Sequence, residues 1–170
     1  MQALGAIDRP AAVSAMNAIN RVILRSAFMP LFLGSSLSSL ALAIIAFARW
    51  DEPGSGAMLA GGVIYLVGML FVTMRFNVRL NNVLAASDPA SDAASWSNYL
   101  DRWTRWNHMR TLACTAALIL FIVAIIGSTV LRSLFGRPLG SALTGTGVRV
   151  LAYIVSSVLG LAILAFIWLA

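Results

Sequence analysis

Four uninterrupted apolar runs constrain this chain more than any other feature. A bilayer core of about 30 Å takes roughly 20 apolar residues as helix. Residues 27–48, 57–74, 111–131 and 148–170 all approach that length. Backbone N–H and C=O groups find no water in lipid, so runs of this length are helices, and their lack of alternation excludes barrel strands. Composition agrees: of 170 residues, 60% are apolar and 11% charged, with a mean hydropathy of +0.88. A soluble globule of this size has too little interior to hide such a share. The expected fold is all-α, one domain, an integral membrane four-helix bundle; a soluble enzyme and a disordered chain are excluded.

The twelve basic residues are all arginine, against six acids, for a net charge of +6. In a soluble protein that balance points to nucleic acid. Here the arginines sit at the ends of apolar runs, which reads as anchoring in a lipid bilayer, with no nucleic acid partner. Arg9, Arg21, Arg25, Arg75, Arg79, Arg102, Arg105 and Arg110 fall on one side, and Arg49, Arg132, Arg137 and Arg149 on the other. The positive-inside rule makes the first side cytoplasmic, with both termini inside and a bacterial inner membrane as the expected location. Residues 1–10 lack the basic-then-apolar order of a cleavable signal.

Two helices should reach beyond the bilayer on the cytoplasmic side. No breaker interrupts residues 11–27, so helix one should start before the membrane and kink at Pro30. Residues 96–131 contain no proline, and as helix they extend about 54 Å. Residues 49–56 form a short polar turn that makes helices one and two antiparallel neighbours, and 132–147 read as a loop. Residues 85–95 mark a loop tip, with Ser95 as an N-cap. Gly34 with the serines beside it, Gly61, Gly62 and Gly68, and Ser156, Ser157 and Gly160 mark faces where helices pack closely.

Known chemical motifs are scarce. Cys114, the only cysteine, sits in an apolar run and reads as packing, and His108 is the only histidine, so no metal site is expected. There is no nucleophile elbow, phosphate loop or dinucleotide fingerprint. Unusual polar residues instead converge on one membrane end. Helix one brings Asn20 and Arg21, helix two ends in Asn77, Arg79 and Asn81, and helix three opens with Trp103, Trp106, Asn107, His108 and Arg110. Trp96, Tyr99, Trp103, Trp106 or Asn107, and Arg110 recur at steps of three and four, which puts them on one helix face. Asn77 and Asn81 share a face as well. Two readings stand side by side. Tryptophans gather in interfacial belts, arginines snorkel and asparagines tie helices together. Alternatively, the residues enclose a small-molecule pocket whose rings suit a flat aromatic guest.

These stretches resemble the anthrone-oxygenase-like small membrane proteins. The matching pieces are Met16-Asn17-Ala18-Ile19-Asn20-Arg21, then Phe76-Asn77-Val78-Arg79-Leu80-Asn81, then residues 96–100 followed by Trp103-Thr104-Arg105-Trp106-Asn107-His108-Met109-Arg110. The last is the most specific, and the resemblance covers about residues 1–128. It implies a four-helix membrane fold and, for a few fungal members, oxidation of anthrones to anthraquinones by oxygen without a known organic cofactor or metal. Asn77, Asn81, Asn107, His108 and Arg110 would then be the polar pocket residues. Members usually carry an apolar helix ahead of the segment matching residues 1–10 and end soon after the one matching 111–131. Here the helix at 148–170 would fill the vacant place, as in a circular permutation.

Two functions remain open at this point. One is a cofactor-independent oxygenase for a planar phenolic or polycyclic compound. His108 would be the base, Arg110, Arg79 or Arg21 the cation, and Trp103 and Trp106 would hold the rings, with Asn20, Asn77, Asn81 and Asn107 as further contacts. The other is a non-catalytic membrane protein, either an accessory subunit of a larger membrane complex or a lipid- or quinone-binding module. A transporter ranks third, because the spans lack midplane charges and broken helices.

Overall fold

The structure, a computed structural model, describes residues 2–86 and 93–134, all helix and turn with no strand among them. A single turn, α1 (Gln2–Gly5), precedes α2 (Arg9–Ile23). Three long helices follow: α3 (Phe28–Ala48), α4 (Ser55–Ala86) and α5 (Ala93–Leu134). Each of these three contains a stretch long and apolar enough to cross a membrane. The fourth expected span, 148–170, and its expected place in the bundle lie outside the described residues.

α3 and α4 are joined by the expected tight turn. Gly54 has φ +87°, a conformation glycine adopts without a Cβ clash, and a Cβ there would also lie 2.5 Å from the Ala124 carbonyl oxygen. Ser55 Oγ donates to the Arg49 carbonyl at 2.6 Å, answering one of the carbonyls left open at the end of α3. Glycines then set the spacing of the helices. A Cβ on Gly62 would stand 2.8 Å from the Ser39 carbonyl oxygen, one on Gly61 2.9 Å from the Phe121 ring, and one on Gly68 2.0 Å from Ala113 Cβ. Without side chains at these points the backbones approach closely enough for dispersion contacts to hold them, which is the main attraction available between helices in lipid. Gly34 faces open space, so the close approach on α3 comes from Ser35, Ser36 and Ser39 instead. Ser35 and Tyr65 share a buried hydrogen bond of 2.6 Å across the α3–α4 seam. Phe32, Met69, Cys114, Ala117 and Phe121 fill the core between the three helices. Leu37, Ile44, Phe47, Val67, Ile122 and Ile126 face outward, as suits a surface bathed in acyl chains.

The structure corrects or adds to the expected helices at three points. The first helix is broken, with α2 and α3 separated by the turn at residues 24–27. Proline has no N–H to give the carbonyl four residues back, so it is tolerated in a first turn. Restarting the helix at Phe28 places Pro30 there. Ser26 makes the junction: its Oγ donates to the Ile23 carbonyl at 2.9 Å and accepts the Phe28 N–H at 3.2 Å. Second, α4 carries two π-helical stretches, Leu66–Phe71 and Thr73–Asn77, which apolar patterning does not announce. Third, α5 already includes Ala93, so Ser95 lies within the helix rather than capping it.

The glycine contacts make a direct prediction. Gly68→Ala should lower unfolding stability in detergent or bicelles by about 1–3 kcal/mol. The swap Gly68→Ala with Ala113→Gly should recover much of that loss, and Gly34→Ala should change little. Equal losses for Gly34→Ala and Gly68→Ala would contradict this packing.

Candidate functional site

The geometry of the polar end follows from the antiparallel register of α4 and α5. Gly54 lies against Ala124, Gly68 against Ala113, Thr73 against Arg110 and Asn81 against Tyr99. On α5 the buried residues Tyr99, Asn107, Arg110, Cys114, Ala117 and Phe121, with half-buried Trp103, advance by threes and fours along one face. That face meets α4, and α2 folds over the same end. Leu4, Val13 and Met16 pack with Leu84 and Tyr99 into a second, smaller core there.

Between these elements lies a cavity of about 290 Å³. Its apolar wall includes Met16, Ile23, Phe28 and Phe32, and its polar points are Asn20, Thr73, Asn77, Asn81, Asn82 and Arg110, with Trp103 beside them. An apolar hollow with a few convergent polar groups is the usual form of a small-molecule site. A relay of amides ties three helices around it: Tyr99 OH donates to Asn81 Oδ1 at 2.9 Å, and Asn81 Nδ2 donates to Asn20 Oδ1 at 3.0 Å.

Deeper in, Arg110 is only 5% exposed. Its Nη2 donates to Asn107 Oδ1 at 2.5 Å and its Nη1 to Thr73 Oγ1 at 3.3 Å, while its guanidinium carbon stands 5.8 Å from the centre of the Trp103 ring. No carboxylate among the described residues pairs with it; Arg49–Glu52 and Arg105–Asp101 are exposed pairs elsewhere. Arg110 Nε, Trp103 Nε1, Asn20 Nδ2 and both amide atoms of Asn77 are buried without a protein hydrogen-bond partner. Buried polar atoms are seldom left unpaired; these belong to four residues that line the cavity.

Asn20, Asn77, Asn81, Trp103 and Arg110, expected from sequence, therefore line one cavity, and Asn107 supports it through Arg110. Three others stand elsewhere. His108 is exposed and absent from the lining, because one residue beyond Asn107 is about 100° around a helix. Trp106 stacks on Phe76 with ring centres 3.7 Å apart and clasps α5 to α4 outside the cavity. Arg79 is exposed. Thr73, Phe28 and Phe32 were not anticipated. Thr73 had a signal, being one step of four before Asn77 in an otherwise apolar run, whereas the two phenylalanines look like any core residue. Among the described residues, no three His, Cys, Asp or Glu side chains come together as metal ligands would.

The relay is testable by unfolding measurements in bicelles. Tyr99→Phe removes one bond and should cost about 1 kcal/mol, and Asn81→Ala, which removes both, should cost more. Identical stability for all three proteins would show that the amides do not tie the helices.

No curated protein and no solved structure matches the chain. A family model described as anthrone oxygenase matches residues 21–120, more than half of the chain and nearly all of the cavity-forming segments. The chain belongs to the anthrone oxygenase family.

Proposed function

We propose that this protein is a membrane-embedded, cofactor-independent oxygenase that binds a planar phenolic or polycyclic compound as its oxyanion. The observation that carries the reading is Arg110, a buried guanidinium at the wall of an apolar cavity with no carboxylate partner among the described residues. A buried charge without a counter-charge is costly, and an anionic guest removes that cost. Trp103 offers a ring face beside the cation, and Asn77 lines the same cavity.

The chemistry needs little more. An anthrone-type substrate loses a proton from its ring methylene to give an electron-rich anion whose charge rests largely on oxygen. Arg110 would donate to that oxygen and stabilise it. The anion reduces O2 by one electron, the two radicals join at the former methylene carbon, and the resulting hydroperoxide loses water to leave a second carbonyl. One oxygen atom ends in the quinone and the other in water, so O2 is the oxidant and no further reductant is consumed. His108 does not line the cavity, so Arg110 would raise the acidity of the substrate and water would carry the proton away. The arginine bias supports placing this end at the cytoplasmic face of a bacterial inner membrane, with both termini inside.

A second reading draws on the same wall. Among the described residues it presents no histidine and no carboxylate, which also suits a module that holds a quinone or lipid without reacting, or an accessory subunit that docks on a larger membrane protein. Turnover of an anthrone by purified protein in detergent decides between them. Arg110→Gln should lower kcat/KM by about 10²-fold or more, while His108→Ala should stay within about threefold of the parent. Turnover that survives Arg110→Gln, or that is absent from the parent, contradicts the oxygenase reading.

A further inference from the structure

The cavity has a rim of unusual composition. Among the residues lining it, Met16, Phe32, Asn77 and Arg110 are at most 5% exposed, but Leu24 is 62% exposed and Met74 58%. The lining thus runs from a buried, partly polar interior to an exposed, apolar edge. Leu31 and Phe71, near this edge in sequence, are also exposed and apolar. An opening onto water would be a poor place for such side chains, whereas an opening onto acyl chains suits them.

Two further observations fix the depth of that edge. Leu24 also bounds a neighbouring recess formed with Arg21, Val22 and Arg25. Arginines next to exposed apolar residues sit at the headgroup layer, with their stems along the hydrocarbon boundary. The edge therefore lies just inside the headgroups. It also coincides with the break between α2 and α3, where residues 24–27 leave the helix and Ser26 supplies the joining side-chain bonds.

We propose that the cavity is filled sideways from the bilayer, through a portal between the α2–α3 junction and α4 gated by Leu24 and Met74, and that its ligand is a lipid-dissolved compound. This rests on the cavity being a ligand site, but not on any reaction occurring there. The competing route runs from water past Asn82, which also lines the cavity and is exposed.

The test uses the full chain in proteoliposomes and 1,8-dihydroxyanthraquinone as probe, followed by the probe's own fluorescence in stopped flow. Leu24→Trp and Met74→Trp should slow association and dissociation together by about tenfold, because a bulkier gate raises the barrier to passage in both directions. With the parent protein, adding lipid at fixed total probe should slow uptake in step with the probe's falling mole fraction in the membrane. The route is overturned if Asn82→Trp slows exchange while Leu24→Trp and Met74→Trp do not, or if uptake by the parent ignores the amount of lipid. A parent protein that takes up no probe overturns the ligand site itself, a result distinct from failure of the route.

Discussion

A guanidinium buried inside a helix bundle must be answered by something, because burial strips away most of the water that would otherwise solvate it. In this protein Arg110 is answered in part, by an amide oxygen, a hydroxyl and the face of an indole. All three are neutral, so among the described residues the charge itself is left unmatched. Much of the polar end can be understood from that condition. α4 must bring Thr73 opposite Arg110, α5 must turn Trp103 and Asn107 to the same face, and the space beside them must stay open. The Tyr99–Asn81–Asn20 relay closes the far side by pulling α2 onto the bundle.

The apolar half of the molecule makes this arrangement possible. Gly61 and Gly68 let α4 and α5 touch almost backbone to backbone, and the register set there is inherited a few turns away, where Thr73 meets Arg110. Gly62 does the same toward α3. The first π-helical stretch contains Gly68, and the second belongs to the polar end, where Thr73 and Asn77 open and close it. Widened turns of this kind are frequent at functional sites, because each redirects the residues beyond it.

The legible and illegible parts of the sequence divide along physical lines. Apolar length is a one-dimensional property, so the three described spans could be read directly, as could the turn at Gly54. The shared face of Trp103, Asn107 and Arg110 followed from helical period alone. What period cannot supply is absolute direction. His108 and Asn107 are neighbours in a motif, yet only the packing against α4 decides that Asn107 is buried and His108 exposed. Trp106 fits the same period, but its ring is taken by Phe76, a contact between helices that no single-helix pattern contains. The break at residues 24–27 was hidden because no glycine marks it; the signal was Pro30, whose preference for a first turn acts upstream.

Titration of a bound phenol would test whether Arg110 receives an oxyanion in the cavity, as proposed. A hydroxyanthraquinone changes colour when it ionises, so its absorbance reports its own protonation in the complex. Bound beside Arg110, it should ionise about one to three pH units below its free value, and the shift should vanish in Arg110→Gln. A bound phenol that ionises at or above its free value would contradict the account, because it would show a hollow that excludes charge instead of one built to receive it.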